Sequence, residues 1–155
     1  MGSLYKIKGK LLHDRILNLL ELMGLTQRKD HLIEGYSSGM KQKLLLAAAL
    51  INDPPILFFD EPTSALDPRA SYTIKELIRS LADTGGKTIV ICSHILPIVE
   101  ELCDRIGIMY EGKLVAVGTI EEILEQTNSK TLEEAFISLT GGIIKKDLFS
   151  WRENK

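Results

Sequence analysis

The chain has 155 residues, of which 45% are hydrophobic and 26% are charged, and its formal net charge at pH 7 is -2. This is the size and balance of one globular domain, and the near-neutral charge gives no electrostatic footprint for nucleic acid. No apolar run approaches the roughly 18 residues of a membrane span, and the N-terminal residues show no apolar signal region, so any role at a membrane would need a separate membrane partner.

Two helices separated by a polar stretch are predicted first. Residues 11 to 23 repeat apolar side chains every three or four positions and end at Gly24, which is typical of an amphipathic helix. After the polar stretch comes the segment Tyr36-Ser37-Ser38-Gly39-Met40. The apolar run from 41 to 51 then predicts a buried helix, which a pair of prolines ends.

The middle of the chain predicts two strands with a helix between them. Residues 56 to 59 and 88 to 92 are short continuous apolar runs, which favour strands buried on both faces. The helix begins at Asp67-Pro68, a capping side chain followed by proline, and continues to about residue 83. Cys92 lies in the second strand, and neither it nor Cys103 has metal or redox spacing, so we expect a buried free thiol and a reducing cytoplasm.

The last third predicts a hairpin between short helices. A helix begins at Pro97 and ends near residue 102, and the runs 106 to 110 and 113 to 117 flank Glu111-Gly112, which is a hairpin signal. Residues 142 to 155 form a partly charged tail. Two capping boxes are predicted to open the C-terminal helices: Thr119 with Glu122, and Thr131 with Glu134.

The alternation of strands and helices predicts an α/β domain with a largely parallel sheet, whose functional groups lie at the carboxyl ends of the strands. Asp60-Glu61 and Ser93-His94 fall there. The first carboxylate suits Mg²⁺ and the second could orient an attacking water, although the pair alone could equally be a polar turn. His94 could reach a terminal phosphate, although a lone histidine after a strand is more often structural.

A small hydroxyl-rich turn before a helix presents backbone N–H groups to an anion, although Ser-Ser-Gly alone is usually a plain helix cap. The joint order of the motifs decides between these readings. Together, over about residues 4 to 141, they resemble the ATP-binding subunits of ABC transporters. The matching segments are Tyr36-Ser37-Ser38-Gly39-Met40 for the signature, Ile56 to Pro62 for Walker B with its glutamate, Ser64-Ala65-Leu66-Asp67 for the D-loop, and His94 for the switch histidine.

The resemblance implies a P-loop NTPase-like ABC ATPase domain over residues 1 to 141. It would comprise a helical signature part at 4 to 52, a core at 53 to 118 and C-terminal helices at 119 to 141, with a tail at 142 to 155. The resemblance also implies the role of each site residue. Asp60 would hold Mg²⁺, Glu61 would polarise the attacking water, His94 would contact the γ-phosphate, Ser37, Ser38 and Gly39 would bind the ATP held by an opposing subunit, and Asp67 would lie at that dimer interface.

The signature variant, with Ser38 and Met40, resembles the drug and ion exporter branch, as does the ending from Leu132 to Gly142. The implied function is an ATP-hydrolysing subunit of an exporter, using ATP and Mg²⁺. Its implied partners are a second ATPase subunit and an integral membrane permease, without nucleic acid. The implied location is the cytoplasmic face of the cell membrane.

The printed sequence has no Gly-x-x-x-x-Gly-Lys-Ser/Thr phosphate loop. Gly86-Lys87-Thr88 is a decoy, because Leu81 stands where the first glycine belongs and the segment precedes a strand. We therefore expect an incomplete parallel sheet, with a gap between the strands at 88 to 92 and 106 to 110. The isolated chain is expected to be marginally stable or rearranged, or to borrow a strand from a partner, and to be inactive alone. Two alternatives stay open: a short non-catalytic regulatory or decoy protein that pairs with an intact ABC ATPase, and an ABC protein of translation or DNA repair without a permease.

Overall fold

A computed structural model describes residues 7–64 and 66–142. The chain divides into two compact units, residues 1–94 and 95–155, and each is described by itself. Residues 4 to 6, the predicted tail from 143 onward and Ala65 of the D-loop lie outside the described residues. In the described part of the chain, no helix combines the length and apolarity needed to cross a membrane.

The first unit begins with two packed helices, α1 (Gly9–Leu22) and α2 (Ser38–Leu50), with 3-10 turns at Thr26–Arg28 and Ile33–Gly35 between them. A guanidinium nitrogen of Arg15 in α1 donates to the carbonyl of Ile51 at 3.0 Å, just after α2. The apolar side chains that α1, α2 and their flanking turns bury are Leu20, Met23, Leu25, Tyr36, Leu46, Ala47, Leu50 and Ile51.

Helix α2 begins three residues earlier than the sequence indicated. The side chain of Ser37 is its N-cap and accepts a hydrogen bond from the backbone N–H of Met40 at 3.3 Å. A serine in this position satisfies one of the free donors of the first turn, so the helix can start at Ser38. Ser38, Gly39 and Met40 therefore form the first turn of α2 rather than a loop before it.

The rest of this unit is a parallel strand pair with a helical crossover: β1 (Ile56–Asp60), α3 (Pro68–Asp83) and β2 (Thr88–Cys92). The strands pair from Ile56 with Thr88 through Asp60 with Cys92. Asp67 caps α3 by accepting from the N–H of Ala70 at 3.0 Å, as predicted. The apolar face of α3 is buried, and this helix contacts β2.

The prediction that both strands are buried on both faces is wrong. Leu57 and Phe59 are buried, but Phe58 is 76% exposed, and Ile56 and Val90 are also exposed. Successive side chains of a strand point to opposite faces, and among the described residues of the first unit no element covers the second face. Cys92 lies on that face, so its thiol is exposed rather than buried.

The second unit contains α4 (Leu96–Leu102), β3 (Ile106–Tyr110), β4 (Lys113–Gly118), α5 (Ile120–Thr127) and α6 (Leu132–Leu139). Strands β3 and β4 form the predicted antiparallel hairpin, with an irregularity between Ile108 and Met109. A compact core holds the hairpin against the last two helices; it consists of Ile106, Ile108, Ala116, Ile123, Leu132 and Ala135.

The two predicted capping boxes differ in detail. Thr119 and Glu122 make both reciprocal bonds at the start of α5, as predicted. At α6, Thr131 accepts from the N–H of Glu134, but the carboxylate of Glu134 accepts from the N–H of Lys130 instead of Thr131. In the second capping box, the bond from the glutamate side chain is therefore made to the residue before the N-cap.

The parallel part of the fold is small. Within residues 7–64 and 66–142, β2 pairs with β1 and β3 pairs with β4, in two separate two-stranded sheets. The α/β class and the incomplete parallel sheet are therefore as the sequence predicted.

Candidate functional site

Glu61 directly follows β1 and is held in an uncommon backbone conformation. Its φ is 46°, in the left-handed region that a residue with a side chain rarely adopts. Its N–H donates to the carbonyl of Cys92 at 2.9 Å, which extends the parallel pairing by one residue. This contact brings Glu61 beside Ser93 and His94, the residues that follow β2.

Three hydrogen bonds hold the Glu61 carboxylate. Oε1 accepts from the backbone N–H of His94 at 2.9 Å and lies 2.6 Å from the ring Nδ1 of the same residue. Oε2 accepts from the hydroxyl of Ser93 at 3.2 Å. An ionised carboxylate can only accept, so Nδ1 must carry the proton and Nε2 is the ring nitrogen left to meet a ligand. Glu61 and His94 thus contact each other at the edge of the sheet where the sequence analysis placed both residues.

The environment keeps Glu61 ionised. Partial burial raises the pKa of the carboxyl, but the hydrogen bonds from the ring and backbone of His94 and from Ser93 favour the charged form. The net result is a pKa below its ordinary value. The carboxylate can therefore accept a hydrogen bond from water at neutral pH, and its side chain is 29% exposed.

Two residues without a predicted role support the Glu61 backbone. Its carbonyl accepts from the N–H and the hydroxyl of Ser64 at 3.3 and 3.1 Å, and from the side-chain amide of Gln42 at 3.5 Å. Gln42 lies in α2, so the helix that begins with the signature segment reaches the end of β1. No sequence signal identified the contact of Gln42, because it depends on how distant segments pack, whereas Ser64 lies in the D-loop segment only three residues after Glu61.

Asp60 is the last residue of β1, and it is exposed. In the described residues, no group of three or more histidine, cysteine or acidic side chains could enclose a metal ion. Mg²⁺ in nucleotide sites needs only one or two carboxylates, because water and phosphate oxygens complete its octahedron. An open carboxylate at a strand end fits that donor set, whereas it would not fit a closed structural metal site.

The signature segment is held by a buried tyrosine at its start, and the residues that follow it are exposed or half-buried. Tyr36 is buried, and its hydroxyl donates to the carbonyl of Arg28 at 2.6 Å. Ser37 and Ser38 are exposed, and Gly39 is half-buried. The backbone N–H groups of this first helical turn lie at the positive end of the α2 dipole, which favours an anion.

Asp67 already has a local partner. The N–H of Ala70 bonds its carboxylate and is the main cause of its lowered pKa. Desolvation opposes this shift, and smaller contributions from other backbone N–H groups and from Lys43 favour it. The carboxylate therefore caps α3, and any role at a subunit interface would add to this one.

The decoy phosphate loop has a structural use. Lys87 stands between α3 and β2, and its ammonium group contacts Asp53 Oδ1 at 2.5 Å and the Pro54 carbonyl at 2.8 Å. These bonds fasten the start of β2 to the segment that leads into β1. The lysine is thus engaged in holding two strands in register.

Comparison with known proteins matches residues 11–100 to the protein-family model described as "AAA domain, putative AbiEii toxin, Type IV TA system". An uncharacterised ABC transporter ATP-binding protein of Synechocystis is 45% identical over 126 residues, which are 80% of this chain and 35% of that protein. The linearmycin resistance ATP-binding protein of Bacillus subtilis is 36% identical over 137 residues, or 88% of this chain and 44% of that one. A methionine import ATP-binding protein of Staphylococcus aureus is 36% identical over 124 residues, with coverages of 80% and 36%.

Solved structures show the same likeness. The ATP-binding subunit of an ABC transporter superposes with a TM-score of 0.79 at 30% identity, covering 87% of this chain and 57% of that one. A dimeric ATP-binding cassette bound to ADP and phosphate gives a TM-score of 0.67, also at 30% identity, covering 73% and 49%. The chain thus spans well under half of the length of the curated relatives it matches.

Proposed function

Because the chain belongs to the family of ABC transporter ATP-binding proteins, we propose that it provides the hydrolytic carboxylate and the signature face of an ATP-hydrolysing exporter subunit. The observation that carries the proposal is the fixed contact between Glu61 and His94 at the carboxyl ends of β1 and β2. Functional groups of parallel sheets lie at this edge. We also propose the division predicted from the sequence, with a helical signature part at 4 to 52, a core at 53 to 118 and C-terminal helices at 119 to 141.

Each residue at this edge has a task that suits its chemistry. Glu61 accepts a hydrogen bond from the attacking water and orients it, since its lowered pKa keeps it ionised. His94 presents Nε2 to the terminal phosphate of ATP while Nδ1 stays on Glu61. Asp60 would hold Mg²⁺, which would neutralise charge on the phosphates. Phosphoryl transfer depends mainly on positioning, and the hydrogen-bonded Glu61 is suited to that.

The signature face acts on a nucleotide held by a second subunit. Ser37, Ser38 and Gly39 offer backbone N–H groups and hydroxyls at the start of α2, and Asp67 lies at the interface between subunits. The dimeric state of cassettes with the same fold supports this arrangement. The partner is another ABC ATPase subunit, identical or different.

We propose export rather than import. The match to the linearmycin resistance protein covers 88% of the chain, against 80–81% for the methionine import proteins. The signature variant and the C-terminal ending support the same branch. The subunit would work on the cytoplasmic face of the membrane with an integral permease, and the net charge of -2 supports a role without nucleic acid.

The test uses the protein as its source cell produces it, purified through an affinity tag that is encoded at the 3′ end of the native gene. We call this the natively tagged protein. Glu61→Gln is expected to keep MgATP binding and to lower steady-state hydrolysis by roughly a hundredfold or more. Glu111→Gln is the matched control, because Glu111 has the same φ of 46° but lies in the β3–β4 turn. Unchanged turnover in Glu61→Gln would remove Glu61 as the catalytic carboxylate. Absence of turnover in the tagged wild-type protein would favour the non-catalytic alternative.

Transport direction needs a separate measurement. A strain without the gene should become sensitive to at least one compound in a panel of antibiotics and toxic ions, and should retain more of that compound. Slower uptake of a nutrient in the same strain, with unchanged sensitivity to the panel, would indicate an importer.

A further inference from the structure

Ser93 is the residue between β2 and His94, and its hydroxyl faces the proposed catalytic carboxylate. It donates to Oε2 of Glu61 at 3.2 Å from a partly buried position. The sequence analysis placed Ser93 at the functional edge of the sheet but assigned it no role. Its contact with Glu61 spans 32 positions of the chain, so only the pairing of β1 with β2 creates it.

The two oxygens of the Glu61 carboxylate are held by different residues. Both bonds from His94 converge on Oε1. Two donors on Oε1 fix where that oxygen lies, but the side-chain torsions of Glu61 can still change together and tilt the carboxylate about it. Ser93 donates to Oε2, so its hydroxyl restrains this tilt.

The rest of Glu61 is held independently of Ser93. The backbone N–H bonds to the Cys92 carbonyl, and the Glu61 carbonyl accepts from Ser64. Removing the Ser93 hydroxyl would therefore leave Glu61 in place and change mainly the direction of Oε2. An ionised carboxylate oxygen has room for more than one hydrogen bond, so Oε2 can accept from Ser93 and from water together.

We propose that Ser93 is a positioning residue for hydrolysis: its hydroxyl turns the Glu61 carboxylate so that Oε2 faces the attacking water. This inference rests on the proposed function. The Ser93 hydroxyl contacts the carboxylate, so we expect it to act on the rate of the chemical step rather than on affinity for MgATP. Small errors in the direction of a catalytic group are costly in rate because they lower the fraction of reactive geometries.

The kinetic test compares Ser93→Ala, Ser93→Cys and Ser93→Thr in the natively tagged protein. Alanine and cysteine should each lower kcat about tenfold, the rate equivalent of one lost hydrogen bond to a charged group, with the KM for MgATP within about twofold. Threonine keeps the hydroxyl and should stay within about threefold of wild type. Wild-type kcat in Ser93→Ala, or equal losses in the threonine and alanine variants, would overturn the proposal.

A second measurement separates this inference from the proposed function. In the 155-residue chain, carboxyl ¹³C relaxation should show a more mobile Glu61 side chain in Ser93→Ala and Ser93→Cys but not in Ser93→Thr, with Glu111 as internal reference. Unchanged relaxation in all three variants would overturn the role of Ser93 even if the wild-type protein hydrolyses ATP. Altered relaxation combined with no wild-type hydrolysis would overturn the proposed function and, with it, the catalytic part of the inference.

Discussion

The ring Nδ1 of His94 lies 2.6 Å from Oε1 of Glu61, although the two residues are 33 positions apart in the chain. The pairing of β1 with β2 ends at Asp60 and Cys92, so the residues that follow each strand emerge side by side. The bond orients both side chains at once: it assigns the ring proton to Nδ1 and one lone pair of the carboxylate to the histidine. This contact is the basis of the first prediction.

Acidification should destabilise the chain partly through Glu61. Its folded-state pKa lies below the ordinary 4.5, so its contribution to stability is fully present above about pH 4.5 and is lost as pH falls through the folded value. Glu61→Gln should therefore show a shallower loss of unfolding free energy between about pH 5 and pH 3, measured by urea denaturation. A wild-type slope in Glu61→Gln would contradict the assigned hydrogen bonds.

Two neighbouring phenylalanines test which face of β1 is covered. Phe59 is 6% exposed and Phe58 is 76% exposed. Phe59→Ala should lower the unfolding free energy of the 155-residue chain by about 3–5 kcal/mol, because it leaves a cavity, whereas Phe58→Ala should change it by less than about 0.5 kcal/mol. Urea denaturation of the two variants measures both effects, and each is the control for the other. Equal losses would mean that the second face of the strand is also buried.

Lys87 should matter for stability and not for nucleotide binding. Its side chain is 10% exposed and bonds Asp53 and the Pro54 carbonyl. Lys87→Ala should cost about 2 kcal/mol, since it removes charged hydrogen bonds at a nearly buried site. Lys113→Ala, at an exposed position, is the control and should cost less than about 0.5 kcal/mol. Suppose that Lys87→Ala weakened MgATP binding more than about tenfold at a temperature where the protein stays folded. This result would indicate that Gly86-Lys87-Thr88 does bind phosphate.

A substitution at Ser37 can separate helix capping from the proposed signature role. Aspartate is as good an N-cap as serine, so Ser37→Asp should keep stability within about 0.5 kcal/mol. Its negative charge should repel the γ-phosphate and prevent ATP-dependent dimerisation, measured by light scattering with the natively tagged protein. Thr131→Asp exchanges the cap of α6 in the same way and should leave dimerisation unchanged. ATP-dependent dimers of Ser37→Asp would count against the signature assignment.

Local chemistry in the sequence predicted most of the elements correctly. Caps at Asp67 and Thr119 and the turn at Glu111-Gly112 act within a few residues, so the structure could be expected to agree. The start of α2 was placed three residues late because the apolar pattern of the helix begins after its first turn, which Ser37 caps through Met40. The strands were also identified correctly, but their continuous apolar letters were wrongly taken to mean burial on both faces.

The sequence by itself determined the family, the order of the motifs and which residue types stand at the sheet edge, because these depend on the residues and their spacing. Only the tertiary structure decided that Glu61 is bound by Ser93 and His94, that Gln42 reaches its carbonyl, and that Phe58 and Cys92 face outward. The physical reason is that hydrogen bonds between segments and the burial of a strand face depend on which distant elements pack together. The sequence of a strand determines which side chains share a face, but the elements that pack against the strand determine which face is buried.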